Sequence, residues 1–396
     1  MLKPNLQYSK LKDSYLFNTI YRKTNEYLHT HPGKTVLRMG VGDVSRPLCK
    51  AVIEALHNAV DDQANAATFH GYMPESGSPT LRRAISKYYK QMGTVVTDNE
   101  IFVSSGACDD LGDILELFDR DNTVMVMEPA YPEYVDTNIL AGRKVVHLAS
   151  GEETNFLPQP SEEAKADILY ICSPNNPTGA AFNRHQLQAW VDFANENGAV
   201  ILFDAAYEIF IEDKHVPHSI FELQNADKCA IEICSLSKTA GFTGTRLGYT
   251  VVPHTLVRDG MNLNEMWARN RETRTNGVSY ILQKGAEAVF TVEGQKQIRE
   301  NIRVYKENAS YLMKALDDAG IWYCGGKNSP YIWMKCPDRM SGWEFFDYLL
   351  REIQVVGIPG DGFGECGKGF FRLSTFGSPA ETKEAATRLC ALLKRG

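Results

Sequence analysis

Between about residues 50 and 252, hydrophobic and polar positions come in blocks. Short apolar runs at 100–104, 123–128, 144–149, 167–172, 199–204, 229–235 and 246–252 have strand length. Several are continuously apolar rather than alternating, as in strands of a sheet covered on both faces. Between them, residues 81–92, 108–118, 131–140 and 184–197 space their apolar positions at a helical period, the last closed by Gly198. That alternation predicts an α/β fold with a mostly parallel, seven-stranded sheet between helices. After Val252 the rhythm changes. Longer helical patterns occupy 256–274, 278–290 and 293–319, the last stopped by Gly320. Strands at 331–335 and 370–375 and helices at 342–353 and 379–394 follow, predicting a smaller α+β domain. The expected division is a large domain over 46–282 and a small domain built from 1–45 and 283–396.

Composition narrows the class. The 396 residues are 43% hydrophobic and 23% charged, enough apolar material for a large core. The net charge of −7 lacks the basic excess of a nucleic-acid-binding domain, so no nucleic-acid partner is expected. No run nears the ~18 apolar residues of a membrane span, and the opening Met1-Leu2-Lys3-Pro4-Asn5 has no signal-peptide core. The expectation is a cytoplasmic protein with no membrane partner. Nine cysteines without a Cys-x-x-Cys pair, and His215 with His218 lacking companion ligands, predict no metal site. Residues 362–367 formally match Gly-x-Gly-x-x-Gly, but they follow no first strand and open no helix, so they read as a loop.

In parallel α/β sheets, functional groups collect past the C-terminal strand ends. Four dissimilar polar motifs fall there. Ser104-Ser105-Gly106-Ala107-Cys108 opens a helix, and suits either a plain Ser cap or a phosphate held by backbone N–H groups. Ser173-Pro174-Asn175-Asn176-Pro177-Thr178-Gly179 is a turn by composition, with Asn176 offering an amide. Asp204-Ala205-Ala206-Tyr207 ends an apolar strand on a carboxylate, costly to bury without a cation. Ser235-Leu236-Ser237-Lys238-Thr239 precedes Arg246 by a few residues and could be a surface Lys beside an anion-binding Arg.

In this order and spacing, the four motifs make the sequence resemble the fold type I aminotransferases, which use pyridoxal 5′-phosphate, over nearly the whole chain. The resemblance implies a role for each matching residue. Lys238 matches the Schiff-base lysine, Asp204 the acid on the pyridine nitrogen, and Tyr207 and Asn176 the donors to the ring's 3′-oxygen. Tyr131 matches the aromatic stacked on the ring. Ser105, Gly106, Ala107, Ser235 and Arg246 match the phosphate site, and Tyr72 the tyrosine that a dimer partner contributes to it. Arg372 matches the arginine that forks the substrate α-carboxylate, a task Lys would serve poorly.

Longer matches make the chain similar to the LL-diaminopimelate aminotransferase family. They include Met39-Gly40-Val41-Gly42-Asp43-Val44, Gly71-Tyr72-x-Pro74-Glu75-x-Gly77 and the run from Ser235 to Gly248. In that family glutamate donates an amino group to tetrahydrodipicolinate in lysine biosynthesis. The resemblance implies Tyr15, Gly42, Asn276 and the partner's Glu75 as further substrate contacts, and a homodimer acting on small amino-acid and 2-oxo-acid substrates. Two positions depart from it: Cys108 stands where the family has a lysine, and Arg46 where it has an acid. A related aminotransferase for aromatic or other amino acids, or a pyridoxal-phosphate β-lyase, shares the core motifs. A pyridoxal-phosphate-sensing transcription regulator of the same fold would carry an added DNA-binding domain, and here the matching motifs begin near residue 15.

Overall fold

The computed structural model describes residues 2–11, 16–40, 42–161 and 165–394. The seven apolar runs form one sheet. Its strands are β1 (Ile101–Ser104), β2 (Thr123–Met127), β3 (Lys144–Leu148), β4 (Ile168–Cys172), β5 (Val200–Asp204), β6 (Ala230–Ser235) and β7 (Gly248–Val251). Their order is β1-β7-β6-β5-β4-β2-β3. Every residue of β4, β5 and β6 is buried, which is why these segments read as continuous apolar runs. Each large aliphatic side chain placed there contributes about 1.5–3 kcal/mol relative to exposure.

The sheet is parallel except at β7, which runs antiparallel to both β1 and β6. After β6 the chain makes only the short helix Leu236–Ala240 and then turns back, with Gly241 and Arg246 both at positive φ. No long covering helix intervenes to carry the chain across the sheet, so β7 returns beside β6. The strand-end motifs therefore open on one edge of the sheet.

Two local expectations are corrected. The predicted helix at 108–118 is an α-helix over Ala107–Asp113 that tightens into a 3-10 turn, Ile114–Leu117. The pattern at 256–274 is not one helix. Val257–Arg258 and Met261–Asn262 form a small hairpin around Asp259 and Gly260, both at positive φ. The helix Leu263–Arg274 starts only after Asn262, whose side chain caps it. Two further helices, Leu16–Thr30 and Lys50–Gln63, precede the sheet.

A second sheet has strands β8 (Tyr323–Gly325), β9 (Tyr331–Lys335), β10 (Ile358–Pro359) and β11 (Phe370–Ser374). All its pairs are antiparallel, in the order β8-β9-β11-β10. Leu37–Arg38 pairs in parallel with Val355–Val356, tying the N-terminal segment to this part of the molecule. The molecule has two hydrophobic cores, one around the large sheet and one around Trp333, Phe345, Phe346 and Phe371. The long helix Val292–Ala319 serves both: Ile298, Ile302 and Tyr305 enter the first, Leu312, Ala315 and Leu316 the second. Among the described residues, no helix is long and apolar enough to cross a membrane.

Candidate active site

A cavity of about 440 Å³ opens where β4, β5 and β6 end, and β9 and β11 of the second sheet close its far side. Its lining includes Gly42, Ala107, Tyr131, Asn176, Asp204, Tyr207, Ser235, Lys238, Arg246 and Arg372. Residues scattered over more than 300 positions of sequence are thus brought to one place by strand ends.

Lys238 sits in the middle of the short helix after β6. Ser235 caps that helix by accepting from the Ser237 N–H at 3.2 Å, which fixes the direction in which the lysine leaves the backbone. Lys238 Nζ donates to the Gly42 carbonyl at 2.5 Å. Burial lowers its pKa to about 8; nearby Asp43 pulls it up, and Arg372 and Arg246 push it further down.

Asp204 is the last residue of β5. Its Oδ2 accepts from Tyr134 Oη at 2.5 Å and its Oδ1 from the Ala206 N–H at 3.0 Å. Burial raises its pKa, and those two donors work against the rise. Among the described residues, no basic side chain pairs with this carboxylate. Arg372, in the middle of β11, is the complementary case. It is only 1% exposed, yet Nη1 donates to Asn176 Oδ1 at 2.6 Å and Nη2 to the Gly40 carbonyl at 2.9 Å, both neutral acceptors. Its Nε has no partner among the described residues. The guanidinium lies 4.3 Å from the centre of the Tyr331 ring.

The third feature is the turn before the helix Ala107–Asp113. Gly106 has φ +130, and a Cβ there would lie 2.5 Å from Arg246 Nη2. Only glycine lets the arginine pass this close to the helix start. Arg246 Nη1 donates to Ser237 Oγ at 3.1 Å, which anchors the arginine beside the helix start. The free N–H groups at the helix start and this arginine compose an anion cradle.

The residues present therefore fit pyridoxal 5′-phosphate. The cradle at Gly106, Ala107 and Arg246 takes the phosphate. The unpaired buried Asp204 takes a ring-nitrogen cation, and Lys238 is an amine of lowered basicity within the same cavity. Tyr207 Oη lies 3.0 Å from Tyr331 Oη, and Asn176 keeps its amide N–H groups free of any hydrogen bond to Arg372, which uses its oxygen.

Some predicted residues lie elsewhere. Tyr72 is 89% exposed, and neither it, Glu75 nor Asn276 lines the cavity of this chain. The two segments that carry Glu75 and Asn276 nonetheless meet. Gly277 packs so tightly on the Met73 and Pro74 carbonyls that a Cβ would lie 2.5 Å from the first. Tyr15 lies outside the described residues. Ser105 is exposed at the cradle's edge. Arg46 faces Asn301, 3.2 Å from its Oδ1, rather than the cavity. Cys108 lines the cavity, and its thiol donates to Glu133 Oε1 at 2.7 Å. Phe17, Tyr134 and Tyr331 were not foreseen. A signal for Tyr134 existed, since it lies three residues after Tyr131 and so shares its helical face.

The family model for aminotransferases of class I and II matches residues 34–389. A Lachnospira eligens protein named LL-diaminopimelate aminotransferase is 48% identical over 405 aligned residues, covering 99% of this chain and 100% of that protein. One of the same name from Agathobacter rectalis is 47% identical with the same coverage. Among solved structures, an L,L-diaminopimelate aminotransferase from Chlamydomonas reinhardtii superposes with a TM-score of 0.92 at 37% identity over 98% of both chains. An aromatic aminotransferase from Pyrococcus horikoshii gives 0.82 at 26% identity, over 94% of this chain and 99% of that one.

Proposed function

The chain belongs to the class I and II aminotransferases, and we propose that it transfers an amino group between glutamate/2-oxoglutarate and tetrahydrodipicolinate/LL-diaminopimelate in lysine biosynthesis. Pyridoxal 5′-phosphate is the cofactor and the kinetic scheme is ping-pong. Relatives named for LL-diaminopimelate at 47–48% identity over the whole chain support that substrate. One structural observation supports the chemistry: among the described residues, a single cavity holds a half-buried amine, a buried carboxylate without a cation and a buried guanidinium without an anion. Cofactor and amino acid together supply each missing partner.

When bound, pyridoxal phosphate supplies an aldehyde that condenses with amines and a cationic ring that takes up electron density from the substrate. The protein's part follows from its own residues. Gly106, Ala107, Ser235 and Arg246 hold the phosphate. Tyr131 stacks on the ring, and Tyr207 and Asn176 donate to its 3′-oxygen. Asp204 keeps the ring nitrogen protonated, a charge-assisted hydrogen bond worth about 1.5–3 kcal/mol. Arg372 forks the α-carboxylate of the incoming amino acid and so fixes which way its Cα–H bond points. Burial lowers the Lys238 pKa to about 8, which brings the free base within reach near neutral pH. As a free amine, Nζ accepts the Cα proton and returns it as general acid.

The exposed Tyr72 and the half-buried Glu75 act from a second copy of the chain: Tyr72 on the phosphate, and Glu75 with Asn276 and Tyr15 on the distal end of the substrate. We therefore read the enzyme as a homodimer with shared active sites, working in the cytoplasm. The two cores support a large domain over 46–282 and a small domain over 1–45 and 283–396, bridged by the long helix.

The test is purified protein with pyridoxal phosphate, LL-diaminopimelate and 2-oxoglutarate, scored for glutamate, beside a panel of common amino acids. Turnover favouring LL-diaminopimelate is expected. Activity confined to an aromatic or other amino acid, or β-elimination in place of transfer, would overturn the substrate while leaving the cofactor chemistry standing.

A further inference from the structure

We infer that Tyr134 is a positioning residue for the transamination: its phenol holds Asp204 in place and ionised, ready for the cofactor's ring nitrogen. The inference rests on the function proposed above and extends it to a residue that lies outside the cavity lining.

The hydrogen bond is built rather than incidental. Tyr134 is on the helix Pro132–Leu140, one turn after Tyr131, and is 3% exposed. Its Oη donates to Asp204 Oδ2 at 2.5 Å. Its ring is stacked on Tyr170 at 4.8 Å, and Tyr131 meets its edge at 5.7 Å. Asn138, fully buried, fastens the arrangement from behind by donating to the Tyr134 carbonyl at 2.8 Å and to Tyr170 Oη at 3.1 Å. Three side chains thus hold one phenol proton on one carboxylate oxygen. Asp204 sits where burial penalises its charge, and among the described residues no cation neutralises it, which leaves that place to the cofactor's own. A donor fixed on Oδ2 favours the ionised form and leaves the other side of the carboxylate for the ring nitrogen.

The groups facing Asp204 are few. Cys172 ends β4, Glu133 shares the helix of Tyr134, Tyr207 follows β5, and Tyr331 comes from β9. Burial pushes the thiol and both phenols further above the neutral range. Glu133 alone among these titrates on the acid side, so it needs its own control.

The experiment compares wild type with Tyr134→Phe, as holoenzymes. Three quantities are read: the absorption spectrum of bound pyridoxal phosphate against pH, the equilibrium dissociation of pyridoxal phosphate, and kcat against pH. Loss of the donor raises the Asp204 pKa, so activity on the acid side fails at a higher pH than in wild type. We expect kcat near pH 7 to fall about tenfold or more with KM for glutamate changed less than about twofold, partial recovery as pH rises, and weaker cofactor binding. The displacement persists in a Glu133→Gln background. Site-specific 3-fluorotyrosine at 134, nearly the same shape with a more acidic phenol, moves the acid limb the opposite way. It keeps the test open if the phenylalanine variant does not fold. An unmoved limb and spectrum in a folded variant that binds the cofactor overturn the inference alone. Failure of wild type to bind pyridoxal phosphate overturns the functional reading beneath it.

Discussion

Asp204 and Glu232 lie on the adjacent strands β5 and β6, both shielded from water, and differ in what meets them. Glu232 accepts from Tyr89 Oη at 2.5 Å, Ser219 Oγ at 2.7 Å and the Ile220 N–H at 2.8 Å, so both oxygens are used within the framework. Asp204 has two donors and borders a cavity. The arginines repeat the contrast. Arg271 is buried against Asp113 at 2.5 Å and Asp110 at 3.9 Å, whereas Arg372 is buried against neutral oxygens. A buried charge left without a counter-charge costs several kcal/mol. A fold tolerates it where a ligand brings the missing partner. Framework and active site are thereby told apart on physical grounds, independent of any resemblance.

The largest effect expected from testing this contrast is on the cavity side. Lys238→Ala should lower kcat by roughly 10⁴-fold or more, since a general acid–base group alone contributes about 10²–10⁴ and the amine also serves as nucleophile. The thermal unfolding midpoint should move little, because among the described residues Nζ makes one hydrogen bond, to the Gly42 carbonyl. Glutamate formation and calorimetry read the two quantities. Near-normal turnover would remove Lys238 from the mechanism.

On the framework side the signature is in stability. Burial pushes the Glu232 pKa up to about 7 from an ordinary 4.5. Between those values the native state holds a proton that the unfolded chain has lost, so stability falls as pH rises through that window. Glu232→Gln removes this dependence. Relative to wild type, the variant should gain up to about 3 kcal/mol between pH 4.5 and pH 8, with kcat changed less than about twofold. Asp110, also raised to about 7, contributes equally in both proteins and cancels from the difference. Urea unfolding at the two pH values measures it. A pH-independent difference would mean that Glu232 is not held neutral.

The same contrast explains what was legible in the sequence. Strand-end motifs are visible because a polar residue interrupts an apolar run. Asp204, Ser235, Asn176 and the Gly106 turn were all found that way, and all reach the cavity. Tyr134 and Tyr331 are aromatics among aromatics; their hydroxyls act only through neighbours distant in sequence, which periodicity does not carry. The reversal of β7 was hidden because a strand buried on both faces shows the same run in either direction. The hairpin before Leu263 was hidden because its two-residue strands are shorter than any period. Tyr72, Glu75 and Asn276 were placed by resemblance, and within one chain they have no geometry at the cavity to be read.

The smallest effect concerns a residue that sits on the border of the two regions. Cys108 is exposed and lines the cavity, yet its thiol is already engaged, donating to Glu133 Oε1 at 2.7 Å. Burial, and then the Glu133 carboxylate, push its pKa up to about 12. Because the thiolate is the nucleophile, Cys108 should react slowly with iodoacetamide at pH 7.5 in spite of its exposure. Glu133→Gln removes the carboxylate charge; each unit by which the pKa then falls raises the thiolate fraction about tenfold and, because a less basic thiolate is a weaker nucleophile, speeds alkylation about threefold. Saturating pyridoxal phosphate should slow it again by covering the cavity. Peptide mass spectrometry locates the label among the nine cysteines. Rapid labelling of Cys108 in wild type, unaffected by Glu133→Gln, would mean that this thiol is an unpartnered group and that the rim belongs with the active site rather than with the framework.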